Sequence, residues 1–281
     1  MAGRILVVED DRLLLRLASS ALERRGYEVE EAINGALALD KLRSNNYDLV
    51  ISDVWMPGIN GIELLAESRT LTQPPKFIVI TADHTSETLL KVIREQAYRY
   101  LMKPFRIEHL LETVQEALEC CHPVHPIEVI SAKPDWVELL VPCHLPTIER
   151  IHEFIKTMEI DLPDETRDSV AIAFRELLLN AAEWGGKFDS DLNIRVSCLR
   201  TGRMILYRVK DPGMGFSLKE LHHAAISNPD NSPFEHMKFR EEKGLRPGGF
   251  GIMTVRALSD ELIYNEQHNE VVYIKYLDEK S

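Results

Sequence analysis

The sequence predicts an α/β protein in two parts: a doubly wound, five-stranded parallel sheet, then an α+β two-layer sandwich. Three observations carry that reading. Short apolar runs alternate with helix-spaced apolar residues through roughly the first 120 positions, the pattern of a parallel sheet with helices on both faces. Those runs end in polar or charged residues, at the sheet edge where such folds place their chemistry. Beyond the prolines near residue 125 the order changes to two helices, a strand hairpin and glycine-rich turns.

The bulk numbers set the bounds. A length of 281 residues suits two domains, and 44% hydrophobic with 28% charged residues is ordinary for a soluble chain. A net charge of −12 argues against DNA or an anionic membrane as partner. Nor is there a Lys/Arg stripe with interleaved aromatics, so no nucleic-acid partner is expected. No long apolar run or signal peptide is read, so no membrane partner is expected either. Cys120, Cys121, Cys143 and Cys198 match no metal or redox spacing; they read as reduced thiols of a cytoplasmic protein.

The first half follows in order. Arg4 to Val8 is strand one, ending in Glu9-Asp10-Asp11. Leu13, Leu14, Leu17, Ala18, Ala21 and Leu22 recur at helical spacing until Gly26 stops the helix. Tyr27 to Ala32 alternates as an outer strand, and Ala36 to Leu42 is a short helix. Leu49 to Ser52 is an apolar run suited to a strand buried on both faces, and it ends in Asp53. A helix from Gly61 to Thr70, a strand from Phe77 to Ile80 and a helix from Ser86 to Gln96 come next. Tyr98 to Met102 is strand five, ending in Lys103-Pro104. The last helix of this half runs from Ile107 to Cys121.

Alone, Asp53 reads equally well as a helix or turn cap. Its company decides. The strand ends bring Asp10, Asp11, Asp53, Thr81 and Lys103 to one edge. Close carboxylates repel and need a cation, and hard oxygen ligands suit Mg²⁺. A hydroxyl and an ammonium beside them would hold a dianionic group on Asp53. That is the equipment for phosphoryl transfer to a carboxylate.

Over residues 3–122 the chain resembles the receiver domain of bacterial response regulators. Glu9-Asp10-Asp11, Asp53 with Met56-Pro57-Gly58, Thr81-Ala82, Tyr100 and Lys103-Pro104 carry the match. The resemblance implies a 2-1-3-4-5 strand order and a cis Lys103-Pro104 bond. It implies that Asp53 takes phosphate from a sensor histidine kinase. By the same resemblance Asp11, Asp53 and the carbonyl of Trp55 coordinate Mg²⁺, with Asp10 helping through water. Thr81 and Lys103 read the phosphate, and Tyr100 turns as the switch. Glu95-Gln96-Ala97 departs from the family, where a glycine usually precedes the alanine.

His122-Pro123-Val124-His125-Pro126 breaks the chain into domains, expected as 1–122, a linker 123–133 and 134–281. Ile127 to Ile130 reads as a small strand, Ala132 to Asp135 as a turn and Trp136 to Val141 as a strand. Leu145 to Met158 is a helix with Pro146 near its start. Asp164 to Trp184 is a long helix placing Glu176 and Asn180 on one face. Ile194 to Leu199 and Met204 to Lys210 form a hairpin ending in Asp211-Pro212-Gly213-Met214-Gly215. Gly248, Gly249 and Gly251 open a helix reaching Leu258, and two further strands end the chain. Asp211 can accept a hydrogen bond from a base edge, and the last glycines free backbone amides for phosphates. The spacing matches neither a Walker nor a Rossmann loop.

Glu176-x-x-x-Asn180, Asp211-x-Gly213-x-Gly215 and Gly249-x-Gly251, in that order, resemble the ATPase fold of gyrase, the heat-shock chaperone and histidine kinases. More closely they resemble the anti-sigma-factor serine kinases of partner-switching systems, over residues 134–277. The resemblance implies that Asn180 holds Mg²⁺ on the ATP phosphates and that Asp211 binds adenine. It makes Glu176 the general base, and Phe216 to Arg246 an ATP lid. Trp184-Gly185 departs from the family's His-Gly. The implied partner is an anti-sigma-factor antagonist or a sigma factor, and homodimers are common in both families. Two other readings stay open: an ATP-dependent module that sequesters its partner without catalysis, and a histidine kinase using His152. The second is disfavoured, because the chain between His152 and Asn180 is too short for a two-helix dimerisation hairpin.

Overall fold

A computed structural model describes residues 3–83, 85–119, 125–133, 135–215, 224–225, 234–244 and 249–277. The chain divides into two compact units, Met1–Val124 and His125–Ser281.

The first unit is the doubly wound sheet. Its strands are β1 (Arg4–Val8), β2 (Glu28–Ala32), β3 (Leu49–Asp53), β4 (Lys76–Thr81) and β5 (Arg99–Met102). They pair in parallel in the order β2-β1-β3-β4-β5. The central strand β3 is buried throughout, as its unbroken apolar run requires. Helices α1 (Arg12–Arg24), α2 (Gly35–Ser44), α3 (Gly61–Ser68), α4 (Ser86–Arg94) and α5 (Ile107–Glu119) cover it. Two cores result, one per face. Leu6, Val50 and Val79 pack with residues of α2 and α3, whereas Ile5, Ile51 and Ile78 pack with residues of α1 and α5.

The phase of α1 differs from the expected one. Leu15, Ala18, Ser19 and Leu22 are its buried stripe, while Leu13 is 80% and Leu17 56% exposed. The run Leu13-Leu14-Leu15 leaves the phase open in sequence; the cap at Asp11 fixes where the helix starts and so which leucine faces the sheet.

The second unit is a six-stranded antiparallel sheet with helices. Its strands are β6 (Glu128–Lys133), β7 (Trp136–Pro142), β8 (Asn193–Arg200), β9 (Met204–Lys210), β10 (Glu261–Tyr264) and β11 (Glu270–Tyr276). Their order is β10-β11-β9-β8-β7-β6. Val137, Leu139, Val196, Tyr207, Val209 and Tyr273 form the inner face. Against it lie α6 (Leu145–Met158), α7 (Asp164–Asn180) and α9 (Gly251–Leu258), and Phe174 of α7 meets the Tyr207 ring at 4.7 Å.

Two local expectations change here. The stretch expected as linker contributes the edge strand β6, and Ala132 and Lys133 pair with Val137 and Trp136 rather than turning. The turn is therefore narrower than expected, with Asp135 in it, and a separate register slip between Val129 and Ser131 marks a bulge of the kind common on edge strands. The long helix is not uniform: α7 ends at Asn180 and continues as one π-helical turn, Ala181–Gly185. The wider turn is a feature often found at functional sites.

Candidate functional sites: a phosphoacceptor edge and a nucleotide cavity

The carboxyl edge of the parallel sheet assembles the first site. Asp53 is 7% exposed and ends β3. The next turn brings α3 back over it so closely that a Cβ at Gly61 would lie 2.0 Å from the Asp53 carbonyl oxygen. The Trp55 N–H donates to Asp53 Oδ1 at 3.3 Å, and the Trp55 ring is exposed. Lys103 Nζ, at the end of β5, donates to Asp53 Oδ2 and to Glu9 Oε2, both at 2.7 Å. The Lys103-Pro104 peptide is cis. Thr81 is fully buried, and its hydroxyl accepts the Asp83 N–H at 3.0 Å. Tyr100 donates its hydroxyl to the Asp83 carbonyl at 2.8 Å, joining strand five to the same loop.

The acids are not quite the ones expected. Glu9, Asp10 and Asp53 each offer a carboxylate oxygen, and these lie within 4.8 Å of one another. Asp11 is not among them. Its Oδ1 caps α1, accepting from Leu13 N–H at 2.8 Å and Leu14 N–H at 3.3 Å. One Asp11 oxygen thus satisfies two orphan amides at the helix start. Glu9, 4% exposed, takes the third place.

The electrostatics follow from the burial. Burial pushes the Glu9 carboxyl up, and its bond to Lys103 only partly offsets this. For Lys103 burial works downward, but the Asp53 and Glu9 carboxylates override it and hold the ammonium above its ordinary value. Burial, and then Asp83, push the Tyr100 phenol up. Three clustered carboxylates, two of them bonded to one ammonium, form an all-oxygen donor set with excess negative charge, which fits a hard divalent cation such as Mg²⁺.

The second unit holds a cavity of about 360 Å³ whose lining includes Glu176, Asn180, Asp211, Gly215, Gly249 and Gly251. Glu176 and Asn180 share a face of α7 by their spacing. A Cβ at Gly251 would sit 2.5 Å from Glu176 Oε2 and 3.1 Å from Asn180 Nδ2, so the start of α9 touches both. Asp211 ends β9. Its Oδ1 accepts the Gly213 N–H at 2.8 Å, and its backbone N–H donates to the Asn269 carbonyl at 3.0 Å. A Cβ at Gly185 would meet Asp211 Oδ1 at 2.3 Å; the π turn therefore delivers a residue without a side chain to the aspartate. Burial raises the Asp211 carboxyl, opposed by the Gly213 amide.

The glycines have particular work here. Gly215 and Gly249 have φ of +86° and +101°, which a side chain would strain. Gly248, Phe216, Arg246, Cys120 and Cys121 lie outside the described residues. Of the expected lid, Ala224, Ala225 and the segment 234–244 are described, the last carrying helix α8 (Glu235–Glu242).

Family models match both units, and in this order. Residues 5–115 match the response regulator receiver domain, and residues 142–275 match the histidine kinase-like ATPase domain. The chain is a receiver domain joined to a histidine kinase-like ATPase domain.

Its relatives include the DNA-binding transcriptional regulator NtrC of Azospirillum brasilense. That protein is 34% identical over 134 residues, 48% of this chain and 28% of its own length. The response regulator ArlR of Staphylococcus saprophyticus is 36% identical over 115 residues, 41% of this chain and 52% of its own. The matches thus span about half of these relatives or less. Among solved structures, the CheY-like receiver domain from Methanospirillum hungatei JF-1 aligns with a TM-score of 0.41 at 33% identity. It covers 42% of this chain and 95% of that one.

Sequence reasoning missed three contributors. Glu9 stands in the acidic run, and residue type alone assigns it no role. Its position directly after β1, one residue before Asp10, is the available signal. Asn269 bonds the Gly213 carbonyl through its side-chain amide at 3.0 Å and so braces the Asp211 turn from the far hairpin. Gly185 matters through its closeness to Asp211, for which no local signal exists.

Proposed function

We propose that this chain is a two-component response regulator: Asp53 accepts a phosphoryl group from a sensor histidine kinase, and the ATPase domain carries the output. In the acceptor step an Asp53 carboxylate oxygen forms the new bond to phosphorus as the bond to the donor nitrogen breaks. Lys103, already bonded to Asp53, would follow the charge onto the phosphoryl oxygens. The Thr81 hydroxyl sits at the neighbouring strand end to donate to them. Glu9, Asp10 and Asp53 would hold Mg²⁺, which supplies positive charge against the incoming phosphoryl oxygens. The receiver resemblance implied Asp11, Asp53 and the Trp55 carbonyl, with Asp10 helping through water; the carboxylate cluster here shares Asp53 and Asp10 with that set and adds Glu9.

For the output we propose a protein Ser/Thr kinase of the anti-sigma-factor type. The observation that carries it is the convergence of Glu176, Asn180, Asp211 and Gly251 on one cavity. Asp211 would accept a hydrogen bond from the adenine edge. The amides at the start of α9 would face the phosphates, and Asn180 would hold the Mg²⁺ that accompanies them. Glu176 would take the proton of a partner's hydroxyl as its oxygen bonds to the γ-phosphorus and ADP leaves. The partner would be a Ser- or Thr-bearing partner-switching protein such as an anti-sigma-factor antagonist.

The test is capture of partners by the full chain with γ-labelled ATP, with and without beryllofluoride on Asp53, scored for phosphorylated Ser or Thr. Label on the partner that disappears in Glu176→Ala, with ATP binding retained, supports the kinase. Partner capture without label in either protein leaves the sequestering module instead. Equal labelling with and without the phosphate mimic removes control by Asp53.

A further inference from the structure

The hairpin between β10 and β11 presses against the turn that follows Asp211. A Cβ at Gly215 would lie 1.7 Å from the Gln267 carbonyl oxygen, so the two backbones touch. Hydrogen bonds cross the same contact. The Asp211 N–H donates to the Asn269 carbonyl at 3.0 Å, and Asn269 Nδ2 donates to the Gly213 carbonyl at 3.0 Å. Gly213 is thereby held at both of its polar groups, because its N–H is the donor to Asp211 Oδ1 at 2.8 Å. Asp211, Gly215 and Asn269 all line the cavity.

The direction of the Asn269 amide is set one step further back. Asn265 Oδ1 accepts two backbone N–H groups, those of Asn269 at 3.1 Å and Glu270 at 3.2 Å. Only the oxygen of a side-chain amide can take those donors, so the Asn265 nitrogen is left to donate elsewhere. It donates to Asn269 Oδ1 at 2.8 Å. Asn269 must therefore present oxygen to Asn265 and nitrogen to Gly213. Two fixed backbone amides thus determine the polarity of a chain of bonds from Asn265 through Asn269 and Gly213 to Asp211.

A hairpin loop is closed by the bonds within it, and the Asn265 bonds do that already. The bond from Asn269 to Gly213 leaves the hairpin and joins residues 56 apart. Asn269 is 9% exposed, so its place on the Gly213 carbonyl is largely shielded from water. What the bond fixes is the residue whose N–H holds the Asp211 carboxylate. A hydrogen bond weakens steeply as its angle opens, so the aim of that carboxylate governs how well it accepts an amine from a base edge.

We propose that Asn269, oriented by Asn265, is a positioning residue for base recognition: it fixes Gly213, which aims Asp211, and so sets the preference for a base bearing a 6-amino group. The proposal rests on the nucleotide reading of the cavity, and the experiment separates the two.

The experiment is equilibrium binding, with Mg²⁺, of ATP and of purine riboside triphosphate, which differs from ATP only in lacking the 6-amino group. The proteins are the full chain and its Asn269→Asp and Asn265→Asp variants, both nearly isosteric. Asn269→Asp sets an oxygen against the Gly213 carbonyl. Asn265→Asp still accepts the two backbone N–H groups but presents oxygen to Asn269, whose amide must turn over and bring its own oxygen to Gly213. The wild-type chain should prefer ATP. Each variant should bind ATP about 5- to 10-fold more weakly, the worth of one hydrogen bond. Binding of the analogue should change less than about twofold, so the preference narrows. An unchanged preference in both variants overturns the proposal, whether the two affinities stay the same or fall together; a common fall would make the asparagines a brace for the whole cavity. Narrowing in Asn269→Asp alone refutes the orienting role of Asn265, and narrowing in Asn265→Asp alone refutes the route through Asn269. If Asn269→Asp does not fold, Asn265→Asp decides by the same comparison. A wild-type chain that binds both triphosphates equally takes the base away from Asp211 and overturns the proposal. One that binds neither refutes the nucleotide reading itself.

Discussion

At the scale of single residues, a missing side chain governs the phosphoacceptor edge as much as the charged groups do. A methyl at Gly61 would stand 2.0 Å from the Asp53 carbonyl oxygen and 3.0 Å from Ser52 Oγ. The obstacle is backbone, so α3 itself would have to retreat. Gly61→Ala is therefore expected to cost about 1–3 kcal/mol and to slow phosphorylation of Asp53 by acetyl phosphate, read as phosphoprotein accumulated over time. Gly58→Ala is the contrast. Its φ is +81°, but nothing lies within 4 Å of the added carbon, so it should cost only about 1 kcal/mol of backbone strain. Equal effects of the two would show that the close approach at Gly61 does not constrain the site. Glu9 teaches a related lesson. In a run of three acids, residue types do not say which carboxylates face the edge and which caps the helix. That choice is made by the φ/ψ of Asp11 and its two amide bonds.

At the scale of elements, the end of α6 is tied to the sheet by a buried polar network. Glu159, 3% exposed, accepts the Tyr207 hydroxyl at 3.1 Å, while Arg200 of β8 reaches the Glu159 carboxylate at 3.1 Å. Arg200 also bonds the Met158 carbonyl at 2.7 Å. Burial holds the Glu159 carboxyl above its ordinary value, opposed first by Arg200 and then by Tyr207. The raised value means the native state binds a proton more tightly than the unfolded chain. Its contribution to stability is thus fully present below the unfolded value near 4.5 and is lost as pH rises through the folded one. Arg200→Ala removes the cation and sharpens that dependence. Discounting for the partial exposure of Arg200, the loss should be about 2 kcal/mol near pH 7, shrinking as the solution is acidified and Glu159 protonates. Urea unfolding of both proteins at about pH 7 and about pH 5 checks it. A destabilisation that does not shrink on acidification would place the effect in lost packing rather than in the stranded carboxylate. Elements also show where sequence legibility ends. The strands of both sheets were readable because their apolar runs and alternations are local. β6 was read short, since an edge strand ending Ser-Ala-Lys has little apolar signal and carries a bulge. The approach of Gly185 in the π turn to Asp211 has no local signal, because the two residues are far apart in the chain.

At the scale of the whole molecule, two compact units each carry their own core, and each carries one of the two sites. The sequence conveyed that division because the motifs of each site are confined to one half. It could not convey which groups line the cavity from the long connection, where Arg240 is one charged residue among many. The division has a thermodynamic consequence. A ligand that binds only the native form of one unit raises the unfolding transition of that unit by mass action. ATP with Mg²⁺ at about a hundred times its Kd should add about 2.7 kcal/mol to the unit His125–Ser281. For a unit of that size this is a rise of roughly 5–10 °C in its transition by calorimetry. Glu176→Ala should keep the rise, because in the proposed mechanism it acts on the partner's hydroxyl and not on the nucleotide. Asp211→Asn should lose most of it, since the amide cannot replace both carboxylate oxygens toward the base and the Gly213 N–H. Beryllofluoride with Mg²⁺ should instead raise the transition of Met1–Val124, and Asp53→Asn should abolish that rise. An ATP-induced shift that survives Asp211→Asn unchanged would move the base site away from β9, and with it the assignment of the cavity's two ends.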